Sequence, residues 1–439
     1  MARNVALTGF ARELSDRAKP VRIGLIGSGE MGTDIVSRTA MMDGVDVAAI
    51  AEIRPKAAHE AVATAYGETG HSRDASSTDA LNRVIEDGHI AIVSDALLMF
   101  ESGLIDVVID ATGVPAVGAE LGLAAMERGK HLVMMNVEAD VTIGAFLRSE
   151  AERLGVVYSL GAGDEPSSCM ELIEFATSMG HDIVCAGKGK NNPLNFDAVP
   201  EDYMTEAKAR NMNARMLVEF VDGSKTMVEM AAIANATGLI PDCPGMHGPN
   251  AGPKELANVL IPESDGGILS GTGRVDFSVG QGLAPGVFVV VHAQHPRIHE
   301  RMRDLKMGEG PYFTFVRPYH LTSLEVPLTC ARAVLHGKAD MVPLDRPVAE
   351  VCALAKRDMK LGEILDQIGE YCYRAWVMEE GQARALGAIP CGLLTGGRVT
   401  APIRKGELIT TANAAPPVGS GIAAMRAKQD AMIIRAQKA

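Results

Sequence analysis

The stretch VRIGLIGSGEMGTDI, residues 21–35, constrains the fold more than any other part of the chain. A β-branched apolar run leads directly into three glycines with GxGxxG spacing, Gly27, Gly29 and Gly32. In dinucleotide-binding folds the first glycine permits a tight turn, the second lets the backbone approach a pyrophosphate, and the third lets a helix pack closely on a strand. We therefore expect a βαβ unit that binds a dinucleotide here. Its candidate contacts are Gly27, Ser28, Gly29, Glu30, Met31 and Gly32.

A second apolar run, residues 45–51, ends at an acid that bears on the choice of dinucleotide. Glu52 follows Gly32 by twenty residues, where a carboxylate would bind the ribose hydroxyls of NAD. Arg54 and Lys56 follow closely, and basic side chains at such positions often bind the 2′-phosphate of NADP. The residues alone therefore leave NAD and NADP equally favoured.

Alternating strand and helix patterns continue to about residue 160. Apolar runs at 90–93, 105–110 and 131–137 predict strands, and the stretches between them include helical patterns. This alternation predicts an α/β fold with a doubly wound parallel sheet, an N-terminal Rossmann domain over residues 1–160. The carboxyl ends of its strands should bring further residues to the nicotinamide, and the candidates there are Ala111, Thr112, Gly113 and Asn136.

Bulk composition excludes several classes of protein. With 439 residues the chain is too long for one core, so several domains are expected. A formal net charge of −13 argues against a nucleic-acid partner, and no apolar run is long enough to span a membrane. The seven cysteines contain no CxxC pair and the N-terminus has no apolar signal core, so we expect a cytoplasmic protein with reduced thiols.

Two short segments after Gly161 contain candidate catalytic chemistry. Asp164 and Glu165 lie side by side before a helical pattern, where they could bind a hard divalent cation or simply favour the positive end of a helix. Lys188 and Lys190 lie in the glycine-lysine run 186–190, followed by Asn191 and Asn192. Lysines there could stabilise negative charge on a substrate oxygen, and an exposed basic loop is an equally good interpretation.

A third segment, residues 220–239, predicts a very apolar helix that contains charged residues near its start. Asp222 is the predicted N-cap, and Lys225 falls in the first turn, where a cation is disfavoured by the helix dipole. Glu229 lies at i+4 from Lys225 and could pair with it. Because the helix should be buried, we favour a catalytic role for this group, with a surface ion pair as the alternative. Further along, Arg317 and His320 are candidate ligands for a substrate phosphate.

Several of these segments together resemble a known family. GLIGSGEMG, GAGDEP, DGSKTMVEMAAIANATGL, RPYHLTSLEVP, KRDMKLGE and APIRKGELI are similar to segments of the SAF-domain oxidoreductases related to homoserine dehydrogenase, and specifically of the DXR-like (DRL) enzymes. The resemblance covers nearly the whole chain. It implies a central α+β catalytic and dimerisation domain at 161–340, whose last helix returns to the Rossmann domain, and a β-rich SAF-like domain at 341–439.

The resemblance also implies an activity. DRL enzymes are NADPH-dependent reductoisomerases that convert 1-deoxy-D-xylulose 5-phosphate to 2-C-methyl-D-erythritol 4-phosphate, an isoprenoid precursor, as homodimers with Mg or Mn. On this basis Asp164 and Glu165 become candidate metal ligands, and NADPH is favoured despite Glu52. Oxidation of homoserine or another small hydroxy acid, and nucleotide sensing without catalysis, remain the alternatives.

One departure affects the mechanism. Homoserine dehydrogenases and ordinary reductoisomerases have NK or NKE after the strand that matches KHLVMMNV, whereas this chain has Asn136-Val137-Glu138. The lysine is absent at that position. A catalytic lysine must therefore come from Lys188, Lys190 or Lys225, which complete the candidate catalytic set together with Asp222 and Glu229.

Overall fold

A computed structural model describes residues 5–191, 193–209 and 213–436. The chain divides into two compact units. The first contains the described residues up to 136, together with 147–164 and 321–342. The second contains residues 137–146, 165–320 and the described residues from 343 onward.

The strands of both units are, in chain order, β1 Val21–Ile26, β2 Val45–Ala51, β3 Ser72–Asp74, β4 Ile90–Val93, β5 Val107–Asp110, β6 His131–Met134, β7 Tyr158–Leu160, β8 Asp182–Gly189, β9 Ile240–Pro241, β10 Arg274–Ser278, β11 Val287–His292, β12 Tyr312–Arg317, β13 Ala349–Ala355, β14 Tyr373–Glu379, β15 Arg398–Val399 and β16 Ala414–Ala415.

The α-helices are α1 Gly9–Ser15, α2 Glu30–Thr39, α3 Pro55–Tyr66, α4 Thr78–Glu86, α5 Ala96–Phe100, α6 Pro115–Glu127, α7 Val137–Leu154, α8 Glu165–Ser178, α9 Pro200–Ala209, α10 Ala214–Val221, α11 Ser224–Thr237, α12 Leu256–Val259, α13 Pro296–Asp304, α14 Val326–His336, α15 Glu380–Ala385 and α16 Gly421–Ala436. Short 3₁₀ turns occur at Glu263–Asp265, Thr322–Leu324 and Cys391–Leu393.

The first unit is built on a seven-stranded sheet in the order β3-β4-β2-β1-β5-β6-β7, with every pairing parallel. Its central strand is buried on both faces: Ile23 of β1 is 0% exposed on one face, and Ile26 is 4% exposed on the other. Strands covered by helices on both sides are nearly continuously apolar, as the run VRIGLI is apart from Arg22. Val326 and Cys330 of α14 join the same core. The predicted α/β fold with a doubly wound parallel sheet is confirmed.

The second unit has a mixed five-stranded sheet in the order β12-β11-β8-β10-β9. β10 runs parallel to β8, and β11 runs antiparallel to it, so β8 lies in the centre. Helices α8 and α11 pack on this sheet, and α11 is buried over most of its length. The C-terminal part contributes the antiparallel pairs β13–β14 and β15–β16 and the helix α16. The division into three domains stays a prediction.

Element boundaries differ from prediction in a few places. Helix α7 begins at Val137, the last residue of the run 131–137 that predicted a strand, and it contains a non-helical residue at Ile143. Glu138 therefore lies in a helix rather than at a strand end. The short elements β3, α4 and α5 were not predicted, because three to nine residues give little periodicity. Within the described ranges, no helix is long and apolar enough to cross a membrane.

Candidate functional site

The three motif glycines of the first unit have different structural roles. Gly27 has a φ of 92°, in the left-handed region, and a Cβ there would lie 3.0 Å from the carbonyl oxygen of Ala111. A Cβ on Gly32 would lie 2.3 Å from the carbonyl oxygen of Gly27, so α2 can approach β1 only with glycine there. A Cβ on Gly29 would meet nothing within 4 Å. Backbone geometry therefore requires glycine at Gly27 and Gly32. Gly29, the N-cap of α2, faces open space instead.

Glu52 is held as a carboxylate beside this turn. Its Oε2 accepts hydrogen bonds from the backbone N–H and the hydroxyl of Ser28 at 3.0 and 2.9 Å, and its Oε1 accepts from the N–H of Arg54 at 3.0 Å. Burial alone would raise the pKa of Glu52, but these hydrogen bonds and the Arg54 guanidinium lower it overall. The Arg54 side chain is 77% exposed, with Nε 3.8 Å from Glu52. A fixed carboxylate suits ribose hydroxyls, and an exposed arginine suits an added phosphate.

The ends of β5 and β6 meet at a buried carboxyl group, that of Asp110, which directly precedes the candidate contacts Ala111, Thr112 and Gly113. Asp110 has no exposed surface, and its Oδ1 accepts a hydrogen bond from the N–H of Thr112 at 3.1 Å. Burial raises the pKa of Asp110, against the lowering effect of hydrogen bonds from Thr112 and Asn136. A Cβ on Gly118 would lie 2.1 Å from Asp110 Oδ2. Asp110 thus fixes the backbone of Thr112, a candidate cofactor contact.

The centre of the second unit contains a buried cluster around Lys188. Lys188 lies within β8, and its Nζ is 2.6 Å from Oε1 of Glu165 and forms a second ion pair with Oε2 of Glu229. Glu165 is in the first turn of α8, and Glu229 is in α11. Burial alone would lower the pKa of Lys188, but the two carboxylates raise it above the ordinary value. The structure thus brings together three of the predicted site residues from three elements.

Lys190 follows β8 and is also buried, so the exposed-loop interpretation of this segment was wrong. Its Nζ donates a hydrogen bond to the carbonyl oxygen of Phe220. Burial and the neighbouring Lys188 ammonium lower the pKa of Lys190 to about 8. Lys188 in β8 therefore has a raised pKa, whereas Lys190, directly after the strand, has a lowered pKa. Asn191 is exposed, and Asn192 lies outside the described residues.

The predicted metal ligands adjoin this cluster. Glu165 and Glu229 each offer a carboxylate oxygen, and these oxygens lie within 4.8 Å of one another. Asp164 directly precedes Glu165 in the chain and is half-buried. His320 Nε2 lies 3.5 Å from Oε2 of Glu165, while His320 Nδ1 donates a hydrogen bond to the carbonyl oxygen of Pro285 at 2.6 Å. Mg²⁺ and Mn²⁺ bind carboxylate oxygens. In this structure the Lys188 ammonium is the cation that contacts both carboxylates. The donor set fits a divalent cation.

Arg317, a predicted phosphate ligand, has contacts within the protein. Its Nη1 lies 2.9 Å from the hydroxyl of Ser168 and 2.9 Å from Oε2 of Glu171. The guanidinium also lies 4.9 Å from the ring centroid of Tyr319. These contacts fix the orientation of Arg317 at the end of β12. Its role toward a phosphate stays a prediction.

Asp222 is not the N-cap of α11 that the sequence predicted. The N-cap of α11 is Gly223, with a φ of 82°, and Asp222 directly follows α10. Its Oδ1 still accepts the N–H of Ser224 at 2.9 Å, and its Oδ2 lies 2.6 Å from the Nζ of Lys356. Burial raises the pKa of Asp222, and the hydrogen bonds and the Lys356 charge oppose this. Asp222 is therefore half of a buried ion pair whose lysine lies 134 residues further along the chain and is not among the site residues predicted from the sequence.

Lys225 lies in the first turn of α11, as predicted, and its Nζ is 3.3 Å from Oε1 of Glu138. The predicted pairing of Lys225 with Glu229 followed from i,i+4 spacing. In the structure each forms an ion pair with a residue farther away in the sequence, Lys225 with Glu138 and Glu229 with Lys188. Glu138, the last residue of the run Asn136-Val137-Glu138, is not among the site residues predicted from the sequence. Its pairing with Lys225 joins two segments of the second unit.

Comparison with known proteins gives one family match. Residues 163–326 match the family "Oxidoreductase DRL, catalytic domain". The matched segment contains β8, α8 and α11 and hence the Lys188 cluster. This part of the chain is similar to an oxidoreductase catalytic domain. No curated protein matches the sequence significantly.

Solved structures with similar folds include three of interest. A probable dehydrogenase from Thermotoga maritima is 15% identical, with 72% of this chain and 90% of that chain covered and a TM-score of 0.42. Scyllo-inositol dehydrogenase from Lactobacillus casei, with bound NAD(H) and scyllo-inositol, is 11% identical, with 73% and 91% covered and a TM-score of 0.41. A DOX-P reductoisomerase structure with fosmidomycin and magnesium is 15% identical, with 48% and 56% covered and a TM-score of 0.35. At such values the similarities do not bear on the activity of this chain.

Proposed function

We propose that this protein is an NADPH-dependent oxidoreductase of the reductoisomerase type, which converts 1-deoxy-D-xylulose 5-phosphate to 2-C-methyl-D-erythritol 4-phosphate. The observation that carries the proposal is the buried Glu165–Lys188–Glu229 cluster within the segment that matches an oxidoreductase catalytic domain. Its support from sequence is the resemblance of GAGDEP and DGSKTMVEMAAIANATGL to the DRL enzymes.

The lysines of the second unit suit the charges that such a reaction develops. Removing a proton from a substrate hydroxyl creates an alkoxide, which a fixed ammonium stabilises most strongly where water is excluded. Lys188 is held as a cation by two carboxylates. Lys190, with a pKa of about 8, exists in both protonation states near neutral pH and suits the transfer of that proton. We assign charge stabilisation to Lys188 and proton transfer to Lys190, with Lys225 as a further cation.

The implied divalent cation would be held by Glu165, Glu229 and the adjoining Asp164. When bound, Mg²⁺ or Mn²⁺ supplies polarisation of neighbouring ketone and hydroxyl oxygens. The protein's own contribution is to place carboxylates from α8 and α11 close together in a buried setting. Arg317 and His320 are proposed to bind the substrate phosphate, and the active species is proposed to be a homodimer.

NADPH is proposed to supply hydride from a site formed by the glycine turn and the strand ends of the first unit. Ala111, Thr112, Gly113 and Asn136 are the proposed contacts at the nicotinamide end, and Arg54 is the proposed contact for the 2′-phosphate. Glu52 opposes NADPH by charge. The preference therefore depends on whether the exposed guanidinium outweighs the fixed carboxylate.

A spectrophotometric assay tests the proposal. With Mn²⁺ present, 1-deoxy-D-xylulose 5-phosphate should cause NADPH oxidation, and mass spectrometry should show the rearranged product. Lys188→Met should reduce turnover by about 10²-fold or more, as expected for loss of a preorganised electrostatic donor. Lys338→Met, which removes an exposed lysine, is the matched control and should leave turnover unchanged.

Two results would contradict the proposal. Homoserine-dependent reduction of NADP without any reaction of the phosphosugar would show a simple dehydrogenase. Dinucleotide binding with no turnover of either substrate would show a nucleotide-sensing protein.

A further inference from the structure

The Lys188 ammonium lies at the position that a cation bridging Glu165 and Glu229 would require. Its Nζ is 2.6 Å from one carboxylate and forms an ion pair with the other. The two ligand oxygens lie within 4.8 Å of each other. Mg²⁺ binds oxygens at about 2.0–2.1 Å, so an ion bound through the two oxygens that Lys188 contacts, Glu165 Oε1 and Glu229 Oε2, would lie where Nζ lies. The ammonium and the divalent ion therefore compete for one position.

Burial makes this competition strong. Glu229 has no exposed surface, and the Glu165 and Lys188 side chains are 11% and 6% exposed. Two buried carboxylates without a cation would repel each other and lack solvation, so a positive charge must stay between them. Lys188 supplies that charge from the central strand of the sheet, whose pairing with β10 and β11 fixes the backbone on both sides.

We propose that Lys188 is an exchangeable internal cation, which holds Glu165 and Glu229 together until a divalent ion displaces its ammonium group. The four-carbon stem lets the displaced group swing away while the strand stays fixed. The ammonium is then available to a substrate oxygen. Binding of the divalent ion and release of the Lys188 ammonium toward the substrate therefore occur in the same step. This inference rests on the divalent cation of the proposed function, but not on its substrate or its reaction.

Manganese binding tests the exchange without any measurement of activity. Titration of the purified protein with Mn²⁺, followed by electron paramagnetic resonance of the free ion, gives the dissociation constant. Lys188→Met removes the competitor and should bind Mn²⁺ at least about tenfold more tightly than the wild type, because no buried ion pair has to be broken. Lys130→Met is the matched control, since it removes a buried lysine whose Nζ donates to the carbonyl oxygens of Ser102 and Ile105. Its affinity should change by less than about threefold.

A second measurement covers the case in which Lys188→Met does not fold. In the wild-type protein, saturating Mn²⁺ should expose Lys188 to acetylation, as measured by peptide mass spectrometry. Lys130 is the internal reference, because it is equally buried but donates to the carbonyl oxygens of Ser102 and Ile105. Lys188 acetylation should rise at least about tenfold with Mn²⁺, while that of Lys130 should stay constant.

Three outcomes would overturn the proposal. They are equal or weaker Mn²⁺ affinity in Lys188→Met, no Mn²⁺ binding by either protein, and Lys188 acetylation that stays constant at saturating Mn²⁺. None of these measurements uses NADPH or phosphosugar. A failure of the exchange is therefore distinguishable from a failure of the proposed activity, which the spectrophotometric assay decides.

Discussion

Lys356 Nζ lies 2.6 Å from Oδ2 of Asp222, and both side chains are almost completely excluded from solvent. The same Nζ donates to the carbonyl oxygens of Ala198 and Glu370. Asp222 also binds the N–H of Ser224. These partners give Asp222 a structural role, and its catalytic role stays a prediction.

The pair predicts a specific pattern of stability. Lys356→Met should lower the free energy of unfolding by about 3–5 kcal/mol, because it leaves the buried charge of Asp222 uncompensated. The double variant Lys356→Met/Asp222→Asn should recover most of this loss, since no charge remains. Urea unfolding followed by circular dichroism measures both. Equal losses in the single and double variants would show that packing of the lysine stem, not charge, is what matters.

The motif glycines should separate cofactor binding from folding. Gly29→Val should abolish dinucleotide binding at unchanged thermal stability, because its Cβ meets no protein atom within 4 Å and would occupy the pyrophosphate position. Gly32→Ala, the matched control, should destabilise the fold by about 1–3 kcal/mol, because its Cβ would clash with the Gly27 carbonyl. NADPH fluorescence titration and thermal melting measure the two effects. Normal affinity in folded Gly29→Val would disprove the cofactor site.

Lys190 should titrate well below the other lysines. With selective ¹³Cε labelling of lysine, one resonance should titrate near the pKa of about 8 and be absent in Lys190→Met. Lys188→Met should move that pKa upward, because it removes a neighbouring positive charge. The folded pKa lies below the unfolded value, so protonated Lys190 destabilises the fold below about pH 8, and this contribution disappears as the pH rises through the unfolded value. A spectrum with every lysine in the ordinary range would refute the assignment.

Glu52 and Arg54 should act on cofactor preference in opposite directions. Arg54→Ala should weaken NADPH binding by about tenfold and NADH binding little, because the guanidinium is proposed to contact only the 2′-phosphate. Glu52→Gln should favour NADPH over NADH, since it removes the negative charge beside that phosphate. Isothermal titration calorimetry with both cofactors measures this. Equal losses for the two cofactors in Arg54→Ala would show that Arg54 does not bind the 2′-phosphate.

The sequence predicted local features well and distant partners poorly. The glycine spacing and the alternation around it predicted the parallel sheet, and the apolar run from Met227 to Ala234 predicted a buried helix. The pairing of Glu229 was not predictable in the same way. Spacing of i,i+4 favoured Lys225, whereas the Lys188 partner lies 41 residues earlier and reaches Glu229 only through the packing of α11 with the β8 sheet.

Burial of Lys188 and Lys190 was missed for a related reason. A glycine-lysine run has the composition of an exposed loop. Its central position in the sheet comes from β10 and β11, which follow it by more than eighty residues. Lysine in a central strand is unusual because of its desolvation penalty, so its burial follows only from the carboxylates that the fold brings to it.

The buried Asp222–Lys356 pair also limits how such a gene can diversify. Ser224 Oγ accepts the N–H of Ala375, and Arg215 donates to the carbonyl oxygen of Ile368, so the pair is one of several bonds between early and late segments of the second unit. A recombination event that joined residues 1–340 to an unrelated C-terminal sequence would inherit a buried aspartate without its lysine. The segment from residue 341 onward must therefore evolve together with α10 and α11, because an unrelated segment would leave Asp222 without its lysine.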